Sequence, residues 1–184
     1  RTGYLATAML SMGGFMLMPF TSAFIVNNVH IAQSELPIIF LFTGISSIII
    51  MPVIGKLSDK IDKFKLFAIG SIVACVMIVI YTNLTPVPIW QVIIVNVILF
   101  MGIMSRMVPA TALNSAIPDM SDRGAYMSVN SSLQQVAGGL AAVFAGLVVV
   151  QTTKTGPIEH FDTLGYVMVG FILICLYLVY RVSE

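Results

Sequence analysis

Long apolar runs, separated by short polar breaks, organise the chain. Residues 3–26, 36–54, 66–82, 89–117, 125–150 and 164–180 are almost uninterrupted in hydrophobic character. An α-helix needs about 20 such residues to cross a hydrocarbon layer about 30 Å thick, at about 1.5 Å per residue. The pattern therefore predicts an all-α, polytopic membrane protein of six spans, read as one transmembrane bundle over residues 1–184. Only the fourth run holds a charge, Arg106.

Composition sharpens this reading. The chain is 58% hydrophobic and 9% charged, with a mean hydropathy of +1.00, whereas soluble domains carry about 25% charged residues. The first run is too long for a signal-peptide core of about 7–15 residues, so Arg1 reads as a cut inside a longer protein. A net charge of +1 lacks the concentrated basic face that phosphate binding requires, which argues against a nucleic-acid partner. Cys75 and Cys175 lie inside apolar runs and read as buried small hydrophobes rather than a disulfide framework.

Orientation follows from the cations. Lys56, Lys60, Lys63 and Lys65 crowd one break, and positive residues favour cytoplasmic loops. With that break inside, Arg1, Arg123 and Arg181 fall on the same side and only Lys154 lies outside. Six spans with both ends cytoplasmic satisfy the asymmetry. The expected location is a cell inner membrane.

The break itself, read as a loop over residues 55–65, follows G-x-L-x-D-K-x-x-K-x-K. Gly55, Asp59, Lys60, Lys63 and Lys65 resemble the signature loop of the major facilitator superfamily, which joins the second and third helices of each six-helix half. The usual form has a glycine where this chain has Asp62. A second inner break, Pro118 to Gly124, carries Arg123-Gly124 and resembles the loop before the eleventh helix of full-length members. The resemblance implies a C-terminal half, matched to helices seven to twelve, whose partner is a missing N-terminal half. It also implies that the first and fourth helices line a cavity, the second and fifth gate it, and the third and sixth face lipid. Asp59, Lys60, Lys63, Lys65 and Arg123 become gating residues, with Asp59 bonding to the positive N-terminus of a neighbouring helix.

The order of features repeats along the chain. Runs one and four are long and bear prolines, two and five abut the charged inner breaks, and three and six are the plainest, as a 3+3 inverted repeat would be. The first run can bend at Gly13, Gly14 and Pro19. Ser34 before Leu36-Pro37 reads as a helix start.

The fourth run is the most informative, with Asn96, Arg106, Pro109 and Asn114. A charge at mid-depth costs at least about 2.5–3.5 kcal/mol, and two readings of Arg106 stand open. It either snorkels to the inner surface or projects into a water-filled cavity. On the fifth run Tyr126, Asn130 and Gln134 form a polar stripe at four-residue spacing. The stripe continues as Gly138, Ala142 and Gly146, a surface suited to close helix approach. For Asn130 and Gln134, interhelical bonding and substrate contact both remain open. The substrate-cavity candidates are thus Arg106, Asn96, Asn114, Asn130 and Gln134.

No Asp or Glu falls within a run, so proton coupling by an intramembrane carboxylate would need a residue of the other half. Met9, Met12, Met16, Met18, Met101, Met104 and Met107 concentrate in runs one and four, either as ordinary packing or as an adaptable pocket lining. His30 and His160 both lie in outer breaks and no H-E-x-x-H motif occurs, which sets an enzyme aside and implies neither metal nor cofactor. The function expected is secondary transport of a small solute by alternating access, as proton-coupled efflux. A nutrient importer of the same fold and a non-transporting six-helix sensor or scaffold are the alternatives.

Overall fold

A computed structural model of the protein describes residues 2–115, 119, 121–151 and 156–183, with all their side chains except those at 2, 3, 114, 115, 182 and 183. Among the described residues, seven α-helices make six segments long and apolar enough to span a membrane. They are α1 (Thr2–Phe15), α2 (Met18–Asn27), α3 (Leu36–Lys60), α4 (Lys63–Thr82), α5 (Ile89–Ser115), α6 (Arg123–Val148) and α7 (Phe161–Ser183). Together α1 and α2 form the first span, broken at Met16 and Leu17. Among the described residues the only β-pairing is an isolated bridge between Val150 and Glu159.

The break follows from Pro19, which stands in the first turn of α2. Proline has no N–H, so the carbonyl of Phe15 loses its donor four residues on. The helix restarts from Leu17, whose carbonyl accepts from the N–H groups of Phe20 and Thr21, both at 3.0 Å, and from the Thr21 hydroxyl at 2.9 Å. Met16 and Leu17 are themselves buried. The core thus holds the break in place.

The charged break is shorter than the sequence suggested. α3 continues past Pro52 to Lys60, so residues 55–60 are helical and only Ile61 and Asp62 connect to α4. Asp62 takes over the turn by capping: at φ −50° its carboxylate accepts the Lys65 N–H at 3.0 Å. Such a cap satisfies an otherwise orphaned donor and needs no left-handed backbone, which is why glycine is dispensable here. Ser34 does not cap α3; it sits in a 3-10 turn over Gln33–Glu35 that leads into it.

The spans pack in the series α3, α5, α4, α7, α1, α6, with α1 also touching α5. Apart from a slight α5–α7 contact, this neighbour map is unchanged when the first span is exchanged with α5, α3 with α6, and α4 with α7. α1 packs on α6 and α7 just as α5 packs on α3 and α4. Exchanged helices run in opposite directions across the membrane, as a 3+3 inverted repeat requires.

Glycines allow a close crossing of α4 and α5. A Cβ on Gly70 of α4 would lie 2.7 Å from Ser105 Cβ and 2.9 Å from its carbonyl carbon, and one on Gly102 of α5 would lie 2.9 Å from the Ala74 nitrogen. α4 is therefore more than the lipid-facing helix expected. It buries Leu66, Phe67, Gly70, Ser71, Ala74, Met77, Ile78, Tyr81 and Thr82 and, beyond Lys65 in its first turn, turns only Ile69, Ile72, Val76 and Ile80 outward. On α6 the buried row is Asn130, Ala137, Ala141 and Ala145, one step round from the Gly138, Ala142 and Gly146 row. Gly146 is exposed.

At the end of the bundle away from the lysine cluster, a side chain replaces a strand. Asn28, just past α2, donates from Nδ2 to the Ile158 carbonyl at 2.9 Å and accepts the Ile158 N–H on Oδ1 at 2.8 Å. Phe24 and Phe161 stack beneath at 4.2 Å between centroids. His30 and His160 flank this clasp at φ 63° and 62°, a left-handed conformation that histidine adopts more readily than most residues.

Candidate functional site

A cavity of about 280 Å³ opens between the first and fourth spans. α1 and α2 contribute Leu10, Ser11, Gly14, Phe15, Leu17, Met18 and Thr21; α5 contributes Asn96, Leu99, Phe100, Ile103, Met104 and Met107; Phe40 and Tyr81 complete it. Of the methionines in these two spans, Met18, Met104 and Met107 line the cavity, whereas Met16 is packed in the core. A second hollow of about 320 Å³ lies on the other flank of the break, between Phe15, Met18, Pro19 and the α6 residues Gln134, Gln135, Gly138, Gly139 and Ala142. Phe15 and Met18 belong to both. The broken helix is the partition between the two spaces.

Polar groups around the first cavity are mostly engaged. Ser11 donates to the Thr7 carbonyl at 3.0 Å, and Thr21 to that of Leu17. Asn96, 1% exposed, donates to the Thr43 hydroxyl at 2.8 Å, which itself donates to the Ile39 carbonyl at 2.8 Å. That chain ties α5 to α3. The Tyr81 hydroxyl faces Thr21 but makes no hydrogen bond of acceptable geometry.

Arg106 stands behind the cavity wall. It is 1% exposed, the largest fully buried side chain among the described residues. Its Nε donates to the Ser71 hydroxyl at 3.1 Å, its guanidinium lies 5.6 Å from the centre of the Phe67 ring, and Cys175 sits beside it. Nη2 has no partner, and no carboxylate among the described residues pairs with it. Both readings from the sequence are displaced, because the side chain reaches neither the surface nor open water. It crosses instead from α5 to α4 and α7, against Gly13 of α1. α4 supplies a ring face and a hydroxyl at the depth where a guanidinium can stack.

The other candidates separate. Asn130 is 2% exposed with Oδ1 unpartnered, one turn from Tyr126, whose ring stacks on Tyr4 at 4.8 Å. Gln134 lies on the second hollow, away from Asn96. The Asn114 side chain lies outside the described residues. Asp59 and Lys60 are exposed at the C-terminal end of α3, Lys65 and Arg123 at the N-terminal ends of α4 and α6, and Gly55 and Lys63 are half-buried. Asp59 sits in the last turn of α3, where the helix dipole disfavours an anion.

Sequence reasoning missed Tyr81, Thr43, Ser71 and Phe67. Thr43, Ser71 and Phe67 lie in apolar runs with no adjacent strongly polar residue to mark them, and Tyr81, followed by Thr82 and Asn83, reads as the end of a span. The small pair Gly70-Ser71 was the available signal, since small residues in a membrane helix mark close neighbours.

The family model of the Major Facilitator Superfamily matches residues 3–184. No curated protein matches the chain.

Proposed function

Because the chain belongs to the Major Facilitator Superfamily, whose members are membrane transporters, we propose that it works as one six-helix half of a secondary transporter. The half moves a small solute by alternating access, as proton-coupled efflux, and it is not an enzyme. The observation that carries this reading is the cavity between the first and fourth spans, walled by a helix that is broken at mid-course. A break in a membrane helix is tolerated where it lines a cavity or is buried in protein, and it lets one side of the cavity move without the other.

The partner half completes the structure. Ser131 and Gln135 of α6 are exposed on a membrane helix, and polar side chains facing lipid are costly. That face meets the other half or the aqueous path between them. The described Asp and Glu residues all lie at helix ends or in connections, so a proton-carrying carboxylate comes from the partner. The four lysines around the α3–α4 connection and Arg123 support a reading in which both ends of the six-span bundle lie on the cytoplasmic side of an inner membrane.

Asp59 gates by pairing with a helix N-terminus of the partner half, which would relieve its unfavourable place at the end of α3. Arg106 acts from within the core, holding α4, α5 and α7 as one body while the first span moves.

Flux in proteoliposomes, with and without an imposed proton gradient, tests the proposal. Gradient-driven flux that Asp59→Asn slows is expected. Flux indifferent to the gradient would remove the coupling, and no flux for any solute would remove transport.

A further inference from the structure

We infer that the ends of α4 and α7 nearest the lysine cluster form a binding site for an anionic phospholipid. Lys65 and Arg181 hold its phosphate, and an acyl chain lies along the outward faces of the two helices. The site is separate from the cavity and independent of the transporter reading. It requires only that α4 and α7 lie in a bilayer.

The two helices pack on each other in opposite directions and touch at both ends. At one end Gly165 lies so close to Thr82 that a Cβ would have no room. At the other, the rings of Phe64 and Tyr180 stand 5.4 Å apart between centroids. Lys65 and Arg181 each follow one residue after that contact, and both are exposed. Spacings of three and four residues put Lys65 in line with Ile69, Ile72 and Val76, and Arg181 in line with Tyr177 and Ile174, all of them exposed. Each helix thus carries a cation at the head of an apolar outward row, at the same end of the bundle.

Among the described residues no carboxylate pairs with either cation. Asp62, three residues before Lys65, is turned onto the α4 N-terminus, where it accepts the Lys65 N–H at 3.0 Å. What meets this surface has to be anionic beside Lys65 and Arg181 and hydrocarbon immediately beneath, and a phospholipid with a net negative headgroup is both in one molecule. Arg181 offers a planar fork to two phosphate oxygens and Lys65 a compact charge. Tyr180, 44% exposed, adds an aromatic ring of the kind that sits at headgroup depth. A zwitterionic headgroup would bring a cation of its own to the same place, and a free phosphate would leave the apolar rows unused.

The test is quenching of tryptophan fluorescence by brominated lipids in the reconstituted protein. Trp90, the single tryptophan, stands at the first turn of α5, at the end of the bundle away from the lysine cluster. Trp90→Phe with Tyr177→Trp therefore places one reporter a turn below Arg181. In phosphatidylcholine bilayers, brominated phosphatidylglycerol should quench this reporter at a mole fraction about twentyfold lower than brominated phosphatidylcholine, from two cations worth about fivefold each at a charged membrane surface. Native Trp90 in the unsubstituted protein should be quenched equally by both. In the reporter background, Lys65→Gln and Arg181→Gln should each reduce the preference about fivefold, and Lys65→Arg should keep it. Lys56→Gln, on α3 rather than on the α4–α7 pair, should leave it unchanged. All these positions are exposed, so the substitutions leave the packed core intact.

Equal quenching of the Tyr177→Trp reporter by both lipids, or a preference that neither glutamine variant lowers, would overturn the inference. So would a preference lost equally in Lys56→Gln, which would mean diffuse charge over the whole end of the bundle. A preference abolished by excess inorganic phosphate at constant ionic strength would mean a site for free anions and would overturn it as well. None of these outcomes measures flux, so the lipid site and the transporter reading stand or fall separately.

Discussion

The first and fourth spans are related by the internal exchange of the fold. Both line the same cavity, and both carry a proline beyond their midpoint, Pro19 and Pro109. The first span breaks; the fourth runs unbroken from Ile89 to Ser115. The difference lies in what faces the carbonyl that each proline orphans. Pro109 frees the carbonyl of Ser105, and that group is pressed against Gly70 of α4, where a Cβ would come within 3.1 Å of the oxygen. Packing on that side leaves no room for the helix to open. Pro19 frees the carbonyl of Phe15 beside Gly14, which has open space around it, and the chain there bends into the partition between two hollows. A proline supplies the same local defect in both places, and close packing decides whether it becomes a hinge.

The largest effect should come from removing that packing. Gly70→Val drives a branched side chain into the Ser105 backbone, where overpacking costs about 1–3 kcal/mol or more. The thermal transition in detergent should fall clearly, whereas Gly14→Ala, in open space, should leave it in place. An equal response at the two glycines would show that the α4–α5 crossing is not the rigid element.

Straightening the first span comes next. Pro19→Ala restores the N–H to Phe15 and should strengthen the helix by up to about 3 kcal/mol, while slowing flux about tenfold if the hinge gates the cavity. Pro109→Ala should change flux little. If both variants slow transport alike, the contrast between the spans has no functional content.

Arg106 then tests what binds the two together. Arg106→Met retains the length of the side chain and removes an unpaired buried cation, so the thermal transition should hold or rise. Arg106→Ala should lower it by about 2 kcal/mol through the space it leaves. Lost flux in a fully stable Arg106→Met would assign the charge itself a part in transport; retained flux would leave it a packing role.

The smallest effect concerns the outer end of the first span. Asn28→Ala removes both bonds to Ile158 and should cost about 1–2 kcal/mol locally, seen as faster hydrogen exchange in residues 156–161 with little change in the global transition. Unchanged exchange would mean that the Phe24 and Phe161 stack alone holds α2.

Much of this was legible beforehand. The six spans, the bend in the first, the lysine cluster, and a cavity between the first and fourth spans all follow from apolar length and the placement of rare polar residues. Of the cavity candidates, Asn96 was found by polarity and lies on the cavity. Arg106 was also found by polarity, but its burial behind the wall depends on Ser71 and Phe67 presenting a hydroxyl and a ring face from another helix. Tyr81 was invisible, because an aromatic residue near the end of an apolar run looks like any interfacial one. The end of α3 was misread because charge marks where a chain meets water and not where a helix stops.

What the sequence by itself determined is the number of spans and the gathering of lysines at one connection between them, since a backbone in hydrocarbon must satisfy its own hydrogen bonds and lysines must stay in water. What only the tertiary structure decided is which face of each helix turns inward. In hydrocarbon nearly every face of α4 is apolar, so hydrophobicity no longer separates core from surface. Size and shape take its place, and the fit of Gly70 against Ser105 or Ala141 against its neighbours emerges only once the helices are packed.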